Sequence, residues 1–191
     1  NNDWRSNARL RLKNANPLLM LEASTWNITP TNFQLSTFPK EWHHKFSVIH
    51  DGIDTDLASP SSSSSCVKLP DSTTLSRSDK IVTFVNRTVE PYRGCHTFIR
   101  AIPRILGDNP DSHIVIVGST VGVSYGNLPS QGNWIDVFLS EIQGSYDTSR
   151  LHITSSLDYS TFIQLLQLSS CHVYLTYPFV LSWSMLEAMS I

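Results

Sequence analysis

The sequence predicts an α/β fold built on a parallel, doubly wound sheet with helices on both faces. Three observations predict it. Residues 81–85 and 113–117 are continuous β-branched and aromatic runs, the texture of strands covered on both sides. Stretches with helical periodicity separate and follow them. The strand-helix alternation then recurs from Lys80 to the last residue, the order expected of βαβ units.

The elements follow in order. Residues 3–23 have helix-forming composition (Ala8, Leu10 and Leu12, then Leu18 to Leu21), and Pro17 is expected to start or kink the second half. Residues 26–29 read as a short strand, with Thr29 or Thr31 capping a brief helix through residues 34–36. Residues 45–50 form a strand candidate closed by the turn pair Asp51-Gly52. Ser59-Pro60 and the serine run 61–65 open a flexible polar stretch reaching about Asp79. The strand at 81–85 leads to a helix over 94–106 with Phe98, Ile102, Ile105 and Leu106 on one face, where Pro103 predicts a kink. The strand at 113–117 ends at Gly118, and a long loop with Gly122, Gly126 and Gly132 leads to a helix over 134–143. Residues 151–154 are a third strand, and 158–168 a helix carrying Phe162, Leu165 and Leu166 inward. Residues 170–177 read as a closing strand with a small, buried Cys171; 178–181 connect it to a helix that opens over 182–189.

Composition limits the function classes. At 191 residues, with 40% hydrophobic and 16% charged residues, the chain can bury a sizeable core, and global disorder is excluded. A net charge of −2 gives no whole-chain case for nucleic acid or an anionic membrane. Arg5, Arg9, Arg11 and Lys13 cluster near the start and read as a solvated helix face. The three cysteines are widely spaced, without a CxxC pair, so neither a disulfide framework nor a zinc knuckle is supported. No signal peptide and no apolar run of transmembrane length is present, which makes a reducing, cytoplasmic location the default. The sequons at Asn27 and Asn86 then carry no meaning.

In open α/β sheets ligands bind beyond the carboxyl ends of the strands. That rule selects residues 86–94, Gly118-Ser119-Thr120, Ser155-Ser156-Leu157 and 178–182. Arg87, Arg93, the helix start at Ser182-Trp183 and, one turn further on, Glu187 thus fall on one rim. A guanidinium is a planar fork of donors that matches phosphate oxygens and stays charged at any working pH. A helix N-terminus adds backbone N–H donors and partial positive charge. A carboxylate repels phosphate but accepts from ribose hydroxyls, so the set suits a nucleoside diphosphate compound. Each residue also has a plainer reading: the arginines as loop surface, Ser182 and Ser184 as helix caps, Glu187 as a solvated first-turn acid. Their convergence carries the argument. Gly118 alone reads as a turn glycine, since neither G-x-G-x-x-G nor G-x-x-x-x-G-K-[ST] occurs. The seven histidines lack metal-ligand spacing, and no G-x-S-x-G elbow is present.

The run Val82-Thr83-Phe84-Val85-Asn86-Arg87, then Glu90-Pro91-Tyr92-Arg93-Gly94 and Thr97-Phe98-Ile99-Arg100-Ala101, resembles the first β-α unit of the donor domain of family-four (group 1) glycosyltransferases of the GT-B fold. The likeness continues through residues 111–118 and Leu186-Glu187-Ala188-Met189, while residues 48–54 resemble that family's interdomain junction. On this reading residues 1–50 are the end of an acceptor domain, 51–79 a junction with a serine-rich linker, and 80–191 a Rossmann-like donor domain. Because Ile191 falls about two turns into the last helix, the chain is expected to be a fragment, inactive alone.

The resemblance implies a hexosyltransferase that moves a sugar from a nucleotide-sugar to a carbohydrate, lipid-linked or small-molecule acceptor with retention. It implies neither metal nor cofactor beyond that donor. Arg87 and Arg93 stand where the family neutralises the departing diphosphate, Arg93 in place of a more usual lysine; such a contact is worth roughly 10²–10³ in rate. Ser182 (for a common glycine) and the Trp183 backbone match the distal-phosphate site, and Glu187 the ribose-binding second glutamate of an E-x7-E motif; Gly118 and Ser155, at the strand ends selected above, are expected as further donor-binding residues. Phe179 occupies the first glutamate's position, where the donor sugar would be read. That departure leaves two alternatives: a non-catalytic nucleotide- or sugar-binding module, and a GT-B epimerase or phosphorylase.

Overall fold

The computed structural model describes residues 3–178 and 181–191, so Phe179 lies outside the described residues. The chain forms two compact units, one built on residues up to Asp51 and the other on Gly52–Pro178 and Ser182–Ile191.

In the first unit, helix α1 (Trp4–Ala23) is capped by Asp3, whose carboxylate accepts from the Arg5 N–H at 3.1 Å. It runs through Pro17 without a break. The carbonyl that loses its partner there belongs to Lys13, which is exposed, so water can replace the missing donor. Arg5, Arg9, Arg11 and Lys13 are all exposed, as a solvated face requires. Strand β1 (Asn27–Thr29) pairs in parallel with β2 (Phe46–Val48). Between them Thr31 caps helix α2 (Asn32–Ser36), its hydroxyl accepting from the Gln34 N–H at 3.1 Å.

The second unit opens with a β-hairpin, β3 (Cys66–Lys68) and β4 (Thr74–Ser76). Composition alone assigns this stretch to loose linker. Val67, Leu69 and Leu75 are buried in it, and that apolar burial fixes the hairpin. Next come β5 (Lys80–Thr88), α3 (Cys95–Asp108, continuous through Pro103), β6 (Ser112–Ser119), α4 (Trp134–Glu141), β7 (Leu151–Thr154), α5 (Tyr159–Leu168), β8 (Cys171–Val173) and α6 (Trp183–Ser190). The four strands β5 to β8 form one parallel sheet in the order β7-β6-β5-β8.

Alternation along β6 shows why this sheet is covered twice. Ile114 and Ile116 pack with Phe84 against Phe98, Ile102 and Leu106 of α3 and Ile135 and Phe138 of α4. Val115 and Val117 point the other way, onto Leu165 and Leu168 of α5 and the hairpin residues Val67, Leu69 and Leu75. Phe162 is only half-buried; Ile163 takes the inward position beside Leu165 and Leu166. The closing strand is three residues rather than eight, and Cys171 is exposed rather than buried. Among the described residues no helix is long and apolar enough to cross a membrane.

Candidate functional site

Strand order reverses between β5 and β8, where the chain has already built outward through β6 and β7 before returning. Such a switch point leaves a crevice at the carboxyl ends of the strands. A cleft of about 500 Å³ lies there.

The end of β5 supplies the first arginine. The strand does not stop at Val85 but continues to Thr88 with a register shift against β6 between Val85 and Thr88. This bulge puts Asn86 and Arg87 at the cleft mouth, since an extra residue bends a strand and re-aims its side chains. Arg87 thus sits on a strand end rather than in a loop, is exposed, and makes no ion pair among the described residues. Gly118 explains how the bulge is accommodated. A Cβ there would lie 2.4 Å from the Asn86 carbonyl oxygen, so only glycine lets β6 pass. Gly118 does not line the cleft; its neighbour Val117 does.

Arg93 comes from the turn before α3. Gly94 adopts φ +76° at the start of that helix, and a Cβ on it would lie 2.4 Å from the Leu175 Cβ. The chain after β8 therefore packs directly on this turn, with the Tyr177 N–H donating to the Tyr92 carbonyl at 2.9 Å. The Arg93 side chain is 12% exposed. Its Nε lies 3.6 Å from Oε1 of the fully buried Glu90, and its guanidinium lies 5.3 Å from the Tyr125 ring centre. Glu90 also accepts from the backbone N–H groups of Ser124 (2.6 Å) and Tyr125 (3.1 Å), and its own N–H donates to the Cys95 sulfur. Burial pushes the Cys95 thiol up to about 12, so it stays a neutral packing group.

Helix α6 closes the cleft. Ser182 is its N-cap residue, with its hydroxyl 2.9 Å from that of Ser184, and the first-turn N–H groups have no acceptor within the helix. Trp183 is 59% exposed beside them. Glu187, one turn on, is buried and accepts from the Tyr159 hydroxyl at 2.9 Å. Burial, reinforced by that bond, raises the Tyr159 pKa above its ordinary value. Ser155, Ser156 and Leu157 line the far end, beyond β7.

Arg87, Arg93, Ser155, Ser182, Trp183 and Glu187 therefore share one cleft, whereas Gly118, Ser119 and Thr120, also expected at the strand ends, do not line it. Sequence reasoning missed Tyr159, and it placed Asn86 and Glu90 in the selected segment 86–94 without giving either a role. Tyr159 follows the α5 cap Asp158, but nothing in the sequence ties it to Glu187; Glu90 stands in a motif whose buried role only the fold reveals. The cleft wall thus carries two arginines, a helix N-terminus and a buried carboxylate that already accepts one hydroxyl, so it offers donors for an anion and an acceptor for a hydroxyl.

This is the GT-B fold of glycosyltransferases. The model of the glycosyl transferase family 4 group matches residues 1–58. Solved structures extend the likeness over the second unit. Sucrose-phosphate synthase from Thermosynechococcus elongatus superposes with a TM-score of 0.65 at 19% identity, over 96% of this chain and 42% of its own. The catalytic domain of starch synthase IV from Arabidopsis thaliana, bound to ADP and acarbose, gives 0.56 at 18%, over 88% and 38%. The C-terminal domain of a glycosyl transferase group 1 family protein from Francisella tularensis gives 0.54 at 15%, over 73% and 66%. The chain thus spans less than two thirds of the length of each of these structures. No curated protein matches it in sequence.

Proposed function

We propose that this chain carries the donor site of a retaining glycosyltransferase that uses a nucleotide-sugar without metal or cofactor. In that reaction the bond from the anomeric carbon to the diphosphate oxygen breaks and a bond to an acceptor hydroxyl oxygen forms. The acceptor proton ends on the departing phosphate. Arg87 and Arg93 offset the charge that builds on the leaving diphosphate, the α6 N-terminal N–H groups hold its distal phosphate, and Glu187 accepts from the ribose. Ser155 and its neighbours border the base. The observation that carries this reading is the meeting of two arginines, a helix N-terminus and a buried glutamate in one cleft at the switch point. Three cysteines without disulfides fit a cytoplasmic setting.

Isothermal titration of the chain with UDP, GDP and ADP and their glucose conjugates tests it. One nucleoside diphosphate is expected to bind, and Ser182→Pro, which removes one N–H and rearranges the cap, should weaken it. Absence of binding by all three would overturn the proposal. Phe179 in place of the sugar-reading glutamate supports the second reading, a non-catalytic binding module. Sugar transfer by the full-length protein, lost on Arg87→Ala, would exclude that reading.

A further inference from the structure

A chain of titratable groups lies under the β3–β4 hairpin. His113 stands near the start of β6 and His152 near the start of β7. Both fall on the sheet face that carries Val115 and Val117, since His113 shares their parity and His152 pairs with Val115. His152 is 5% exposed, and its Nε2 lies 3.1 Å from Nδ1 of the half-buried His113, the rings 5.4 Å apart and 24° from parallel. Its Nδ1 lies 2.9 Å from Oδ2 of Asp71, in the turn between β3 and β4. Three further charged groups face the pair: Asp79 from the turn before β5, and Asp147 and Arg150 from the turn before β7.

These contacts fix where the hydrogens sit. An ionised carboxylate only accepts, so the hydrogen of the Asp71 contact is on His152 Nδ1. In a neutral ring the other nitrogen then offers a lone pair, and His113 must donate to it from Nδ1. Two neutral rings carry two N–H hydrogens, and this chain uses both. One added proton is tolerated: His152 donates in both directions, while His113 moves its hydrogen to Nε2 and accepts at Nδ1. A second is not. Two N–H groups would then face each other across 3.1 Å, with a cation on each ring. Burial first, and then the neighbouring His152, hold the His113 pKa below its ordinary value, in accord with a ring that resists the second proton.

The segment this chain holds is one that needs holding. Each hairpin strand is three residues, and a two-stranded hairpin is marginal by itself. In its turn, Asp71 Oδ1 accepts from the Thr73 N–H at 2.8 Å and the Leu69 N–H reaches the Thr73 carbonyl at 2.8 Å. Ser72 holds φ +72°, a left-handed backbone that a serine keeps only where its surroundings fix it. Leu69, Pro70 and Ser72 of this turn line a pocket of about 410 Å³ together with Ser156 and Leu157, and those two also line the far end of the cleft. We propose that Asp71, His152 and His113 form an acid-sensitive clamp, which seats the hairpin turn against the far end of the cleft and releases it when both rings are protonated. Its effect on a bound nucleotide rests on the donor-site reading above; the clamp itself does not.

Because the folded His113 value lies below the unfolded one of about 6.5, the clamp's contribution is complete above that pH and is lost as pH falls below it. Imidazole nitrogen NMR of the chain at about pH 8 should find the hydrogen on Nδ1 in both rings; an Nε2–H tautomer in either overturns the clamp. Amide hydrogen exchange follows the release. The protection factor of the Leu69 N–H should fall at least about tenfold from about pH 7 to about pH 5, while that of Ile116 in β6 holds. His113→Phe should not show this loss, since a proton on His152 then only strengthens its contact with Asp71. An equal loss in that variant, no loss in the wild type, or a loss shared with Ile116 overturns the clamp; should the variant not fold, the ring tautomers decide. Over the same interval the wild type should lose at least about threefold more affinity than His113→Phe for whichever of UDP, GDP and ADP binds, and equal losses overturn the coupling to the cleft. If none binds at either pH, the donor-site reading fails, and the tautomers and exchange still decide the clamp.

Discussion

Arg87 and Arg93 face the same cleft, yet their removal should leave two different signatures. Arg87 is exposed and makes no ion pair among the described residues, so Arg87→Ala strips charge from a ligand and nothing else. Its effect on stability should stay within about 0.5 kcal/mol. Its effect on nucleoside diphosphate affinity should reach about 1.5–3 kcal/mol, the worth of a hydrogen bond to a charged group, or roughly 10- to 100-fold. Arg93→Ala instead leaves Glu90, at 0% exposure, without its cation. Breaking a buried pair costs about 3–5 kcal/mol, and here the lower end applies, because the contact is 3.6 Å and two backbone N–H groups still serve the carboxylate. For a chain of this size about 3 kcal/mol is roughly 6–12 °C in Tm. Thermal melts by circular dichroism and nucleotide titration of both variants measure the split. Adding Glu90→Gln to Arg93→Ala should recover much of the Tm, since the amide oxygen can still accept from Ser124 and Tyr125 without a buried charge. Equal melting losses for the two arginine variants, or no recovery in the double variant, would refute this account of Glu90.

Three more expectations follow from particular contacts. Gly94→Ala must displace the Leu175 segment, 2.4 Å from the new Cβ, and hold a positive φ; a loss of at least about 2 kcal/mol in urea unfolding is expected, and near-wild-type stability would contradict the packing. If Glu187 holds the ribose as proposed, Glu187→Gln should erase the preference for the bound nucleoside diphosphate over its 2′-deoxy form, worth about 1–2 kcal/mol in titration, because the proposed acceptor loses its charge. Burial pushes His172 down to about 4, while its unfolded value is near 6.5. The unfolded chain therefore binds more protons between those values. This share of stability is complete above pH 6.5 and is lost as pH falls toward 4, with a ceiling of about 3 kcal/mol reduced by the residue's partial exposure. His172→Asn should flatten the pH dependence of urea unfolding in that window, and an unchanged slope would assign the effect elsewhere.

What the sequence made legible were the elements whose signal is repeated along the chain. Strands β5 and β6 alternate between two cores, so every residue of 81–85 and 113–117 is apolar or β-branched apart from His113, and the runs announce themselves. The β3–β4 hairpin could not be read this way. Each of its strands is three residues with one inward side chain, Val67 or Leu75, too short for any period and set beside a serine run. The bulge that carries Arg87 is a property of two strands at once, since it exists because Gly118 on β6 leaves room for the Asn86 carbonyl. Glu90 reads as an acid before a proline; its burial is decided by the Ser124-Tyr125 loop more than thirty residues away.

The misread length of β8 bears most directly on the site. Residues 170–177 keep the apolar texture of a strand, but pairing with β5 lasts only from Val82↔Cys171 to Phe84↔Val173. Beyond it the chain leaves the sheet and docks on the turn before α3, where Gly94 admits Leu175 and the Tyr92 carbonyl receives the Tyr177 N–H. Had β8 continued alongside β5, its next residues would occupy the space beside Asn86 and Arg87. Peeling away leaves that space open and lets α6 bring Ser182 and Glu187 to its edge. The glycine that looked like a helix start is thus a condition for the cleft, which is why Gly94→Ala should weaken nucleotide binding even at temperatures where the variant remains folded.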